Sequence, residues 1–228
     1  MQYTNCITYK LFDDEDLSRI NLLINNTNDD DWKDGLASTT HNNKEIKNNL
    51  ELSNKTYRKS IENILKEKIY TNNFYVNFTA PFTITTPIIS KTCVDGYYNL
   101  HEDSYSLGNF STTVFLTDPN DYDGGELCLY FENKKHSFKL KKGHAVTYKT
   151  GIPHKVNKLT KGHRIALIFW TTSNYEDDDI RSIVYKLNIL KNSVSNQLVY
   201  DFSDIDKNPS YIIRDIKNIL EKKYAKRK

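Results

Sequence analysis

From residue 74 to residue 173 the chain is a train of short runs rich in β-branched and aromatic residues, cut apart by turn clusters. The runs are "FYVNFTA", "STTVFLT", "ELCLYF", "HSFKLKK", "AVTYKT", "HKVNKL" and "RIALIFWTTS"; "DPNDYDGG", "ENKK", "KKGH" and "TGIP" separate them. β-Branched and aromatic side chains fit a pleated, half-buried surface, and Gly, Pro, Asn and Asp supply tight turns. Strands this short bury little alone. Their near-regular spacing predicts a sandwich or jelly roll.

On both flanks the apolar period becomes helical. Residues 13–26 carry Leu17, Ile20 and Leu23 behind an acidic first turn, and 54–72 place Tyr57, Ile61, Ile64, Leu65 and Lys68 or Ile69 on one face. Helical spacing returns over 175–190 and 208–227, while the polar stretch 27–50 reads as extended and partly functional. The expected class is α+β and β-rich, a double-stranded β-helix (jelly roll, cupin-like) flanked by helices. Its segments are a helical and loop region at 1–73, a β core at 74–174 and a C-terminal helical segment at 175–228.

Composition narrows the function classes. The chain has 228 residues, 38% hydrophobic and 27% charged, which suits a soluble globular protein. No apolar run approaches the roughly 18 residues of a spanning helix, and the N-terminus lacks a signal-peptide profile, so no membrane partner and a cytoplasmic location are expected. Abundant Asn, Lys, Ile and Tyr fit AT-rich coding, a viral protein in a host cytosol included. Three cysteines, Cys6, Cys93 and Cys128, without C-x-x-C spacing argue against a disulfide framework and a zinc knuckle. A net charge of +3 does not call for nucleic acid, and the basic tail "EKKYAKRK" reads as a solvated helix end.

The chemistry is concentrated in a few residues. His101 and Asp103 stand at H-x-D spacing, and in extended backbone side chains at i and i+2 point the same way. One imidazole and one carboxylate can therefore share an ion, with Glu102 pointing away. His154, at the start of a predicted strand, offers a third ligand. Two His and one carboxylate occupy one face of an octahedral ion, the facial triad of non-haem Fe(II) oxygenases. A 2-oxoglutarate-type cosubstrate would fill two open positions and O2 the third. Arg164 interrupts an apolar strand, where an unpartnered charge is costly; a bound dicarboxylate would explain it. The even separation of His154 and Arg164 lets both face one interior.

These features, taken together, resemble the PKHD-type (prolyl/lysyl hydroxylase-domain-like) Fe(II)- and 2-oxoglutarate-dependent dioxygenases. "WKDGLASTT" followed by "KNNLEL" is similar to that family's W-x-D-G and K-N-N-x-x-L signature, and "STTVFLTDPNDYDGGEL" to its strand ending in Y-[DE]-G-G-E-L. "KKGHAVTYKTGIPHKV" and "GHRIALIFWTTS" resemble its G-D-x-V-x-Y-P-x-x-x-H-x-V and G-x-R-x-x-x-x-x-W-x-x-S segments. The resemblance spans roughly residues 31 to 190. It implies that His101, Asp103 and His154 bind Fe(II), and that Arg164 binds 2-oxoglutarate. The implied activity is hydroxylation of an unactivated C–H bond, most readily in a prolyl or lysyl residue of a peptide or protein, with 2-oxoglutarate decarboxylated to succinate. Ascorbate is a candidate reductant, and a homodimer is compatible with the family.

The chain departs from the pattern where the family places a tyrosine nine or ten positions before the first metal His; Thr92 and Lys91 stand there. Cosubstrate binding would then lean on Lys91, Thr92 or Tyr148, and Tyr98 matches a family aromatic. His144 replaces an acid and Ser104 an Asn. His41, His136, His144 and His163 read as solvated or locally bonded, Trp170 as core, and Asn48 and Asn49 as substrate-facing. Rival readings are a small-molecule oxygenase, a demethylase of alkylated nucleobases and a non-catalytic jelly-roll module. The demethylase would want a second arginine where Trp170 stands. An intact triad and Arg164 argue against the module.

Overall fold

The computed structural model describes residues 5–38, 46–195 and 209–226. Two antiparallel sheets form its centre. The larger runs β1 (Cys6–Lys10), β12 (His144–Lys149), β8 (Phe110–Phe115), β15 (Arg164–Ser173), β6 (Ile88–Thr92), β4 (Leu50–Leu52) and β2 (Trp32–Asp34), with β5 (Pro81–Ile84) also paired to β15. The smaller runs β11 (Lys134–Phe138), β10 (Leu127–Phe131), β13 (His154–Val156), β7 (Tyr97–His101) and β3 (Lys47–Asn48), and β9 (Tyr122–Gly124) pairs β14 (Leu159–Gly162) in a separate ribbon. Strands distant in sequence lie side by side, as in the expected jelly roll.

The helices follow their sequence signals at both ends. Helix α1 (Asp14–Asn25) opens with a capping box, in which Asp13 accepts from the Asp16 amide and Asp16 from the Asp13 amide. Helix α2 (Lys55–Ile69) is capped by Asn54 and buries Ile61, Ile64, Leu65 and Ile69, joining Leu17 and Ile20 in the larger core. Each such side chain contributes roughly 1.5–3 kcal/mol of burial. Helices α4 (Asp178–Ser195) and α5 (Pro209–Tyr224) pack on each other. Arg181 anchors α4 by donating to the Phe78 carbonyl and to Asp178 Oδ1. Among the described residues no helix is long and apolar enough to cross a membrane.

Three expectations need correction. "FYVNFTA" is not a strand but lies largely in helix α3 (Asn73–Thr79). Asn72 caps it by accepting from the Tyr75 amide, and Tyr75 and Phe78, one turn apart, are both fully buried. A short aromatic run reads alike in either period; the cap residue decides here. "ENKK" supplies only two turn residues, Glu132 and Asn133, both at positive φ, so β11 begins at Lys134 in a two-residue hairpin. The first 73 residues also do more than pack on the β core, since β1, β2, β3 and β4 join its two sheets.

Candidate active site

His101 ends β7 and His154 begins β13, and the two residues are direct cross-strand partners. Their rings consequently share a face, with centroids 4.1 Å apart. Asp103 follows in the turn after β7. His101 Nε2 lies 4.0 Å from Asp103 Oδ1, and His154 Nε2 lies 3.7 Å from Asp103 Oδ2. One ligand atom from each residue falls within 4.8 Å of the others, the one such group of three among the described residues. Glu102 between them is exposed.

The remaining polar atoms of the triad are already engaged. His101 Nδ1 is 2.7 Å from the Asn99 carbonyl and His154 Nδ1 is 2.9 Å from the Ile152 carbonyl, each two residues upstream. A carbonyl only accepts, so Nδ1 carries the proton and Nε2 keeps its lone pair for an ion. Asp103 Oδ2 accepts from Ser111 Oγ at 2.7 Å and from Trp170 Nε1 at 2.9 Å, leaving Oδ1 to a metal. Burial, reinforced by the neighbouring His154, pushes the His101 pKa down to about 4 in the metal-free protein. The imidazole is therefore neutral at neutral pH, as a ligand must be. Two imidazoles and a carboxylate on one face suit Fe(II), with positions left open.

Arg164, the first residue of β15, faces the same cavity from the larger sheet, opposite Thr92 of β6. It is 2% exposed, and its Nε and Nη2 make no hydrogen bond among the described residues. The Phe115 ring lies 5.2 Å from Cζ and offers no acceptor, while the neighbouring Tyr122 hydroxyl is buried and likewise unbonded. Burial lowers the arginine's pKa, and the neighbouring Tyr122 and Tyr148 hydroxyls only partly offset that cost, with no carboxylate opposite the cation among the described residues. Gly125, at φ +66°, makes room: a Cβ there would lie 3.3 Å from Arg164 Cδ and 2.7 Å from Leu159 Cδ1. An anion with several acceptor atoms, such as the distal carboxylate of 2-oxoglutarate, fits this end.

Tyr148 on β12 links the two ends. It is fully buried, meets His154 edge-on at 5.3 Å, and sits among Ser111, Thr113, Asp103 and Arg164, with burial raising its hydroxyl pKa far above the ordinary value. The cavity itself holds about 120 Å³. Thr92 lines it, but Lys91 does not: adjacent strand residues point to opposite faces, and Lys91 lies over the Trp32 ring at 5.2 Å. Tyr98 stacks on His101 with centroids 3.6 Å apart.

Other expected residues divide. Asn49 lines the cavity and donates to Ser90 Oγ at 2.7 Å, and a methyl group at Gly35 would collide with the Asn49 amide. Asn48 is exposed and donates to the Asp95 carbonyl instead. His136 stacks on Phe131, His144 Nδ1 lies 3.4 Å from the Lys142 carbonyl, His163 is exposed, and none joins the triad; His41 lies outside the described residues. Trp170, expected as core, is a cavity wall that holds Asp103, and Ser111 beside it was not singled out at all. Parity within β15 was the available signal, since Arg164, Ile168 and Trp170 are separated by even numbers of positions and all line the cavity. Parity between His154 and Arg164 carries no such meaning. The two belong to opposite sheets, with β14 between them in sequence.

Comparison with known proteins agrees with this geometry. Residues 89–172 match the pattern of the 2OG-Fe(II) oxygenase superfamily. A PKHD-type hydroxylase of Hyphomonas neptunium is 32% identical over 179 residues, covering 74% of this chain and 79% of that protein. One from Pseudomonas putida is 28% identical over 213 residues, covering 89% and 90%. Among solved structures, a prolyl hydroxylase of Trichoplax adhaerens, in complex with a hypoxia inducible factor peptide fragment, is similar in fold with a TM-score of 0.58 at 14% identity, covering 74% of this chain and 84% of that one. This chain belongs to the PKHD-type hydroxylases of the 2OG-Fe(II) oxygenase superfamily, and it is a dioxygenase that uses Fe(II) and 2-oxoglutarate.

Proposed function

We propose that the enzyme hydroxylates a prolyl residue, or less readily a lysyl residue, in a peptide or protein. His101, Asp103 and His154 hold Fe(II), and Arg164 takes the distal carboxylate of 2-oxoglutarate, with Tyr148 between them. When bound, the metal and cosubstrate supply the oxidant that inserts oxygen into a C–H bond, with release of succinate and CO2. The chain's own part is to fix the ligands, to satisfy the cosubstrate's charge and to exclude water around the reacting carbon. The buried guanidinium of Arg164, whose Nε and Nη2 make no hydrogen bond among the described residues, is the single observation that carries the cosubstrate assignment.

The cavity mouth supports the substrate class. Leu107 lines the cavity while 38% exposed, and Tyr105 nearby is 75% exposed. Tyr97 and Ile88 add further apolar wall. Such a rim suits a neutral pyrrolidine ring presented on an extended peptide. Glu51, the acid that a lysyl ammonium would seek, is already bonded to Lys47 at 2.7 Å. Nucleobase demethylation is disfavoured because Trp170 occupies the place of a second arginine and commits its N–H to Asp103.

The test is to incubate proline-containing peptides with enzyme, Fe(II), O2 and 2-oxoglutarate and to map products by mass spectrometry. A gain of one oxygen atom on proline, with succinate formation stimulated by the peptide, is expected. Succinate production indifferent to every peptide would remove this substrate class.

A further inference from the structure

We propose that Tyr98 and Lys47 are positioning residues for the metal ligand His101, so that the strand bearing the K-N-N motif belongs to the metal centre. The Tyr98 ring lies on the His101 imidazole with centroids 3.6 Å apart and planes inclined by 15°. That leaves one face of the tyrosine open, and Lys47 Nζ stands over the ring at 4.9 Å from its centroid. The contact is built into the backbone, because Lys47 of β3 and Tyr98 of β7 are register partners. Lys47 is held in turn by Glu51, at 2.7 Å, and is 7% exposed. The result is one column, Glu51–Lys47–Tyr98–His101, reaching from the N-terminal segment to the metal ligand.

The two histidines need different support. His154 is deeply buried and meets Tyr148 edge-on. His101 is more open, with 15% of its side chain exposed. Its Nδ1–H bond to the Asn99 carbonyl sets one direction but leaves the ring free to turn about that bond. A flat ring pressed on its face removes this freedom, and a cation over the far side of that ring holds the ring in place. Partners of this kind orient a ligand without touching the metal.

The experiment titrates Co(II) into the chelator-treated full chain and follows the visible absorption of the bound ion. Tyr98→Ala should weaken Co(II) binding by about 10- to 100-fold and shift its bands. Tyr98→Phe, which keeps the stack, should match the parent protein, and Lys47→Met should move both readouts in the same direction by less. Parent-like affinity and bands in Tyr98→Ala would overturn the proposal, as would equal losses in the Phe and Ala variants. If melting of the metal-free protein shows that Tyr98→Ala is unfolded, Lys47→Met decides alone, and an unchanged affinity and spectrum in it would overturn the proposal. Metal affinity is read without any substrate, so this inference and the prolyl assignment fail separately.

Discussion

At the triad end of the cavity, each polar atom not needed by a metal has a partner in the protein. At the Arg164 end, Nε, Nη2 and the Tyr122 hydroxyl make no hydrogen bond among the described residues. The triad end is somewhat more open, with His101 and Asp103 half-buried while Arg164 and Tyr122 are buried, yet it is the better satisfied of the two. The difference lies in what the protein completes by itself. Two carbonyls, a serine and an indole N–H fix the ligands in advance. The guanidinium is left with its desolvation cost standing until an anion arrives. A metal tolerates little error in ligand direction, which favours prior fixation. A carboxylate brings its own four lone-pair sites and can complete an arginine that waits.

The sharpest way to break this contrast is at Asp103. Asp103→Ala should reduce succinate formation to background while the protein keeps its parent secondary structure by circular dichroism; turnover equal to the parent's would sink the metal assignment. Next comes Arg164→Met, which should raise the Kd for 2-oxoglutarate, measured calorimetrically with a redox-inert metal, by about 30-fold to several thousand-fold, the equivalent of about 2–5 kcal/mol. The same variant should melt higher than the parent without ligand, because an uncompensated buried charge has gone. A lower melting temperature would mean that Arg164 has a partner in the free protein.

The smallest effect concerns pH. The folded pKa of His101, about 4, lies below its ordinary 6.5, so on acidification the unfolded chain takes up a proton first. Metal-free stability on this account is complete above about pH 6.5 and is lost progressively toward pH 4, by on the order of 1–3 kcal/mol. Urea midpoints of the parent should fall more steeply across that window than those of His101→Gln. Parallel curves would show that the free imidazole charges without penalty.

Much of this site was legible in the sequence because its chemistry obeys short-range rules. H-x-D spacing on extended backbone brings His101 and Asp103 together whatever the rest of the fold does. An arginine in an apolar strand announces a missing partner by desolvation alone. What could not be read depends on register between strands distant in sequence. Ser111 and Trp170 meet Asp103 only because β8 and β15 pair residue for residue, Trp170 opposite Ser111. Lys91, expected at the cosubstrate, is replaced there by Thr92, because the pairing of Thr92 with Arg164 decides which of the two faces inward. Helix α3 was missed for a local reason, since four apolar residues in seven suit either period and only Asn72 argues for a helix.

A buried guanidinium that takes its acceptors from a bound anion would also tie the enzyme's lifetime to the supply of that anion. A ligand that binds only the folded state stabilises it by mass action, about 2.7 kcal/mol at a hundred times its Kd. Here that gain would coincide with relief of the desolvation cost carried by the buried Arg164 side chain. Copies starved of 2-oxoglutarate would open and be degraded sooner than copies well supplied. The amount of enzyme would then follow the availability of its cosubstrate without any dedicated regulatory site.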